Sequence, residues 1–219
     1  MKIYDISMIV HPDMPVYKNK NDKRPVLSRV SDFTNGSTYE SRIQMNIHTG
    51  THVDAPLHML PGGATIDQID LRRLITPCKV FDLTALNEKI SASDLAKHDI
   101  KSGDFILLRT RNSYIETFDF NFTYLDSSGA AYLKDKSITG VGIDALGIER
   151  DQPGHETHKI LFEAGIVILE GLRLKDVVKG KYLLIAAPLK IRGAEGAPVR
   201  AVLVQEEARG RFPCFLARC

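Results

Sequence analysis

The segment from His48 to His58 constrains the fold more than any other part of the chain. It holds three of the seven histidines, together with an aspartate. The glycine, the proline and the β-branched residues inside it disfavour a helix, so the segment is predicted to be extended. Side chains of an extended chain alternate between two faces. One face would therefore carry the side chains at the even positions, which are His48, His52, Asp54 and His58.

This clustering predicts a metal site. The imidazoles of His48 and His52 and the carboxylate of Asp54 are ligand types that suit zinc, manganese or iron. His58 is not needed as a ligand. A single histidine is more often a surface or core residue than a ligand. A cluster beside a glycine that permits close backbone approach and a proline that stiffens the exit is instead typical of a preorganised metal loop.

The approach to this segment reads as a hairpin. Strands are predicted at 26–30 and 38–47, and Asn35-Gly36 between them is a turn signal. In the second strand Ile43, Met45 and Ile47 alternate with polar residues, so this odd-numbered face is predicted to point to the core.

The rest of the chain mixes strand and helix patterns, which indicates an α/β fold. The segment 112–124 is aromatic without a clear period and is predicted to be a loop or flap, whose rings either line a pocket or pack beneath the loop. Strands are predicted at 2–9, 78–83, 105–108, 138–143, 166–169, 182–187 and 198–204, and helices at 67–74, 91–98, 127–134, 155–164 and 172–178.

A second group of candidate ligands lies in the later half. Glu170 ends a buried strand, where a carboxylate is costly unless it is paired or bound to metal. His158 lies on the preceding predicted helix. From the residues alone, Glu170 is equally a capping or ion-paired residue, and His158 an exposed helix histidine.

Composition excludes several classes of protein. The 219 residues are 43% hydrophobic and 26% charged, which fits one domain over 1–219. A net charge of +2 with scattered basic residues does not suggest nucleic acid, and no apolar run approaches the ~20 residues of a membrane span. The start of the chain shows no secretory signal, so the cytoplasm is expected. The odd cysteine count, Cys78, Cys214 and Cys219, argues against a disulfide framework.

The motif His48-Thr-Gly-Thr-His52-Val-Asp54-Ala-Pro56-Leu-His58 resembles the signature of the cyclase family, which includes bacterial kynurenine formamidases. The resemblance extends over most of the chain, through Asp5-Ile6-Ser7, through His158 and Glu170, and through the stretch 193–200. It implies a swivelling β/β/α domain that forms a homodimer or homotetramer and holds zinc, usually two ions, with manganese as the alternative.

The resemblance also assigns roles to residues. It implies that the metal ligands are His48, His52, Asp54, His158 and Glu170. His58 corresponds to a proton donor and acceptor in the family. The formamidases carry a tryptophan in an early loop that contacts the aromatic substrate, whereas this chain has no tryptophan and places Tyr17 there. Tyr17 is therefore the candidate substrate-binding residue, and the departure leaves the substrate open.

The leading hypothesis is metal-dependent hydrolysis of a small amide, as in the formamidases, which convert N-formyl-L-kynurenine and water to L-kynurenine and formate in tryptophan catabolism. Asp54 and Glu170 would bridge two cations that generate a hydroxide nucleophile, and His58 would shuttle the proton. The alternatives are hydrolysis of a cyclic amide such as isatin, a lyase reaction, and a metal-binding protein without turnover. No nucleic acid or membrane partner is expected.

Overall fold

A computed structural model of the chain describes residues 1–205. The segment 209–219, in which the sequence shows no pattern, lies outside the described residues, as do Cys214 and Cys219. The strands are β1 (Lys2–Asp5), β2 (Val26–Ser31), β3 (Glu40–Gln44), β4 (His52–Asp54), β5 (Ile75–Asp82), β6 (Lys89–Ile90), β7 (Phe105–Arg109), β8 (Tyr124–Leu125), β9 (Gly140–Ile143), β10 (Val167–Glu170), β11 (Gly180–Ile185), β12 (Gly196–Pro198) and β13 (Val202–Gln205). The helices are α1 (Ala92–Leu95), α2 (Ser127–Asp135) and α3 (Glu156–Glu163).

A nine-stranded mixed sheet dominates the fold, in the order β1-β13-β11-β5-β7-β9-β10-β4-β12. The central strands β5, β7, β9 and β10 are parallel to one another, and the strands on either side pair antiparallel. Parallel strands are covered on both faces and consist of continuous apolar runs. The run 105–108 is fully buried in β7, which confirms the buried strand predicted there.

Two hydrophobic cores cover the two faces of this sheet. On the helical face Leu133 of α2 and Leu161 of α3 pack with Ile168 of β10. On the other face Leu169 of β10 and Leu203 of β13 belong to one continuous core. This is the α/β class predicted from the sequence, with helices against a curled sheet. A single domain over 1–219 stays a prediction. Within residues 1–205, no helix has the length and apolar character needed to cross a membrane.

The hairpin of β2 and β3 is separate from the main sheet. Strand β2 matches its prediction, whereas β3 covers only Glu40–Gln44 of the predicted 38–47. The prediction that its odd-numbered face points to the core is wrong at Ile43, whose side chain is 52% exposed. Met45 and Ile47 are partly buried. Alternation of apolar and polar residues identifies an apolar face. Within residues 1–205, no other segment covers the apolar face of this hairpin.

Two predicted helices are absent. The segment 67–74 forms two short 3₁₀ turns, Ile66–Gln68 and Leu71–Arg73, because the Asp70 side chain accepts a hydrogen bond from the Arg72 amide and starts a new turn. The segment 172–178 has no regular structure. Its Leu172 amide donates to the Ile143 carbonyl and its Leu174 amide to the Ser113 hydroxyl, so residues distant in the sequence hold its backbone in an irregular path.

Candidate metal centre

The centre is built first by the pairing of β4 with β10. In this antiparallel pair His52 lies opposite Glu170, and Asp54 lies two residues further along the same face of β4. All three side chains are buried. The His52 Nε2 atom lies 3.3 Å from Asp54 Oδ1 and 3.4 Å from Glu170 Oε2. The sheet register therefore brings together two carboxylates and an imidazole that are far apart in the sequence.

His48 joins the centre from the turn before β4. Its Nδ1 atom lies 2.8 Å from Asp54 Oδ1. Gly50 in this turn has a φ of +73°, and its carbonyl packs directly where a side chain on Gly171 would have to be. Gly196 of β12 lies beside the His48 ring, where a Cβ atom would come 3.1 Å from Cε1. These glycines let three backbone segments close around the site.

His158 completes the cluster from α3. Its Nε2 atom lies 3.6 Å from Asp54 Oδ2 and 3.4 Å from Glu170 Oε1. The buried side of α3 carries it towards the sheet, so it is not the exposed helix histidine that the sequence left open. Each carboxylate thus faces His52 of β4 on one side and His158 of α3 on the other. The structure brings together all five residues that the resemblance implies as ligands.

The donor set fits a cation. The Nδ1 atom of His52 lies 2.9 Å from the Gly50 carbonyl oxygen, to which it can donate a hydrogen bond, and this contact orients Nε2 towards the carboxylates. Within residues 1–205, three buried ligand atoms of the centre have no hydrogen-bond partner: His48 Nε2, His52 Nε2 and Asp54 Oδ2. Leaving a buried polar atom without a partner costs about 1–3 kcal/mol. Imidazole nitrogen and carboxylate oxygen are ligands that zinc and manganese accept.

Electrostatics favour a positive charge here. Burial opposes charge on His52, but Asp54 and Glu170 outweigh it and raise the pKa of His52 to about 10. Burial and Asp54 oppose ionisation of Glu170, yet His158 and His52 lower its pKa to about 2. The carboxylates therefore stay ionised, and protons on the histidines take the position that a divalent cation would fill.

Glu149 is a further candidate residue of the centre, which the sequence alone does not reveal. It is buried, and its Oε1 atom lies 2.8 Å from Nδ1 of His158 and 2.7 Å from Nδ1 of His155, while Oε2 accepts from the Thr157 amide. A carboxylate on Nδ1 fixes the ring so that Nε2 faces the centre. Nothing in the spacing reveals this contact, since a loop separates Glu149 from α3.

His58 reaches the site by a different route from the one predicted. It lies on a 3₁₀ turn that begins at Pro56, and its ring stacks on His48 with centroids 3.9 Å apart. Burial lowers its pKa to about 4. A ring nitrogen of His58 lies within 4.8 Å of ligand atoms of His48 and Asp54. Alternation along one strand does not produce this arrangement, because only 52–54 is a strand. The proton-transfer role stays a prediction.

A cavity of about 200 Å³ opens onto the centre. This is below the ~300–1,000 Å³ usual for drug-sized ligands, so it suits a small molecule. Tyr17 lines it and packs edge-on against Phe118 and Phe122, with ring centroids 5.3 and 6.4 Å away. The buried rings of Phe118 and Phe122, in the aromatic segment 112–124, thus pack against Tyr17. The cavity wall also includes Lys23, His48, His58, Met59, His155, His158 and Glu170.

Comparison with known proteins agrees with this geometry. A family model for cyclases matches residues 4–150. A kynurenine formamidase of Bacillus cereus is 35% identical over 170 residues, which are 77% of this chain and 81% of the relative. A solved structure titled as a potential metal-dependent hydrolase with cyclase activity is 52% identical, with a TM-score of 0.86 over 94% of this chain and 99% of its own. Isatin hydrolase A of Labrenzia aggregata is 26% identical, with a TM-score of 0.81 over 94% of each chain.

Proposed function

Because this chain belongs to the cyclase family, whose relatives here are metal-dependent hydrolases, we propose that it hydrolyses a small aryl amide. N-formyl-L-kynurenine, cleaved to L-kynurenine and formate in tryptophan catabolism, is the leading substrate. The observation that carries the proposal is the placement of Asp54 and Glu170 between imidazoles on both sides, with buried ligand atoms left without partners.

The five clustered residues would hold the metal, and we propose zinc as two ions. Asp54 and Glu170 each face His52 and His158, which suits carboxylates shared between two cations. When bound, such cations polarise a carbonyl and lower the pKa of water towards neutrality.

The remaining steps belong to the protein. His58, in the cavity wall beside His48, would take the proton of the attacking water and return it to the departing nitrogen. An anilide nitrogen needs that proton in order to leave. Tyr17 would support the planar part of the substrate. Burial, with Asp151, Glu170 and Glu149, raises the pKa of Tyr17 to about 12, so its hydroxyl stays neutral at physiological pH.

Hydrolysis of a cyclic amide is the second candidate. The similarity to isatin hydrolase A over 94% of the chain favours it, as does the absence of the formamidase tryptophan. A metal-binding protein without turnover would not need His58 beside a complete ligand set.

The test is turnover by the zinc-loaded protein on N-formyl-L-kynurenine and isatin in water enriched in ¹⁸O. Hydrolysis places solvent oxygen in the acid product, which is formate for the first substrate and isatinate for the second. A protein with full metal content that hydrolyses neither substrate would remove the proposal. Conversion of an enolisable substrate without solvent oxygen in the product would favour a lyase.

We also propose that the chain works as a homodimer or homotetramer. The hairpin of β2 and β3 supports this, because Leu27 and Ile43 lie opposite each other and are 57% and 52% exposed. An isolated two-stranded hairpin is marginally stable in water. An exposed apolar face on it indicates a protein contact.

A further inference from the structure

The cavity wall holds one lysine, which the proposed chemistry does not use. Lys23 lines the cavity together with Tyr17 and His58. Lys18, which follows Tyr17 in the sequence, pairs with Asp151 of the cavity wall at 2.6 Å. Within residues 1–205, the Lys23 ammonium makes no ion pair or hydrogen bond. Its recorded contact is with the face of the Tyr17 ring, 5.5 Å from the centroid.

The backbone holds Lys23 in place against the metal loop. The Lys23 carbonyl accepts a hydrogen bond from the Thr49 hydroxyl at 2.9 Å, and Thr49 directly follows His48. The Lys23 amide donates to the Lys20 carbonyl at 3.0 Å, which closes the 3₁₀ turn Asn21–Lys23. The root of the side chain is therefore fixed relative to the candidate ligands. A fixed root reduces the ordering cost of binding a ligand group.

The charge balance of the cavity leaves this ammonium available. The carboxylates around it already have partners: Asp151 pairs with Lys18, Glu149 binds His155 and His158, and Glu170 faces His52 and His158. Lys23 is half-buried as a residue. An ammonium without a counter-ion favours an anionic ligand, and its hydrogen bonds to a carboxylate are stronger than neutral ones.

We propose that Lys23 binds a carboxylate of the substrate while the Tyr17 ring supports its planar part. This rests on the proposed amide hydrolysis and narrows its substrate class to aryl amides that carry a carboxylate away from the scissile bond. N-formyl-L-kynurenine belongs to this class, whereas isatin carries no carboxylate. A carboxylate bound at Lys23 would therefore favour the open-chain formamide over the cyclic amide.

The kinetic test compares N-formyl-L-kynurenine with N-(2-acetylphenyl)formamide, which keeps the ring and the formamide but lacks the carboxylate. For the zinc-loaded Lys23→Met variant we expect KM for the first substrate to rise about tenfold with kcat within about twofold, and no change for the second. Lys23→Arg should restore most of the loss. Lys20→Met, at an exposed lysine outside the cavity, is the matched control. An equal change on both substrates, or none, would contradict the inference.

Equilibrium binding tests the Lys23 site without any need for turnover. Calorimetry on the zinc-loaded protein would compare L-kynurenine with its carboxamide. We expect the wild type to prefer the carboxylate about tenfold and Lys23→Met to lose that preference. Equal affinities in the wild type, or no binding of either compound, would overturn the inference. If the wild type prefers the carboxylate and Lys23→Met loses the preference, but the protein hydrolyses neither formamide, the proposed function fails and the Lys23 site stands. A preference that Lys23→Met keeps would contradict the Lys23 site.

Discussion

The metal centre and the β2–β3 hairpin differ in what they leave unsatisfied: buried polar atoms in the centre and exposed apolar side chains in the hairpin. In the centre, buried polar atoms such as His52 Nε2 and Asp54 Oδ2 lack hydrogen-bond partners among the described residues. In the hairpin, apolar side chains such as Leu27 and Ile43 lack cover. A buried gap between nitrogen and oxygen atoms is completed by a small cation, whereas an exposed apolar face is completed by another protein surface. The unpaired buried atoms thus indicate a cation, and the exposed apolar face indicates a protein partner.

The largest effect short of losing the metal is expected at His58. If it transfers protons and is not a ligand, His58→Ala should keep its metal and lose roughly 10²- to 10⁴-fold in kcat. Elemental analysis and steady-state kinetics on the same sample check this. His11→Ala, an exposed histidine outside the cavity, should match the wild type. Loss of metal in His58→Ala would assign His58 to the ligands instead.

Variants of Glu149 test whether metal binding depends on the carboxylate that holds the His158 ring in place. Removing the carboxylate that holds Nδ1 of His158 should weaken metal binding about 10- to 100-fold in Glu149→Ala. Glu149→Gln should lose less, because its amide oxygen still accepts one hydrogen bond. Competition with a chelator measures the affinity, and Glu163→Gln at the exposed end of α3 is the control. Unchanged affinity in Glu149→Ala would show that His158 is oriented without it.

The hairpin should respond to charge without any change at the metal. Leu27→Asp combined with Ile43→Asp places two like charges on the exposed apolar pair and should yield the 24.4 kDa monomer by light scattering. Metal content should stay at the wild-type level, since neither residue touches the centre. The proposal fails if the wild type is itself monomeric at micromolar concentration, or if the double variant keeps the wild-type mass.

Patterns of apolar residues predicted several helices and strands, because these elements depend mainly on residues near one another in the sequence. The helices α2 and α3 and the buried strand β7 lie close to their predicted positions. The helix predicted at 172–178 is absent, and the Leu172 and Leu174 amides bond instead to Ile143 and Ser113, contacts that no local pattern reveals. Periodicity also marks an apolar face without saying whether the chain itself covers it, as Ile43 shows.

The site was predictable where the motif is compact. The composition of segment 48–58 alone predicts a metal site. For His158 and Glu170, the assignment as ligands depends on the resemblance to the cyclase family. Sheet register explains why: Glu170 comes opposite His52 only once β4 pairs with β10. Glu149 was missed for the same reason, since its role depends on a contact across a loop and not on spacing.

Metal content is the most direct test of the central claim that these buried residues form a cation site. The wild type, purified without chelator and analysed by plasma mass spectrometry, is expected to contain zinc, and the Asp54→Ala, Glu170→Ala double variant is expected to lose it. Circular dichroism should confirm that the variant is folded. A wild type without transition metal that also fails to take up added zinc, or undiminished metal in the folded double variant, would contradict the account.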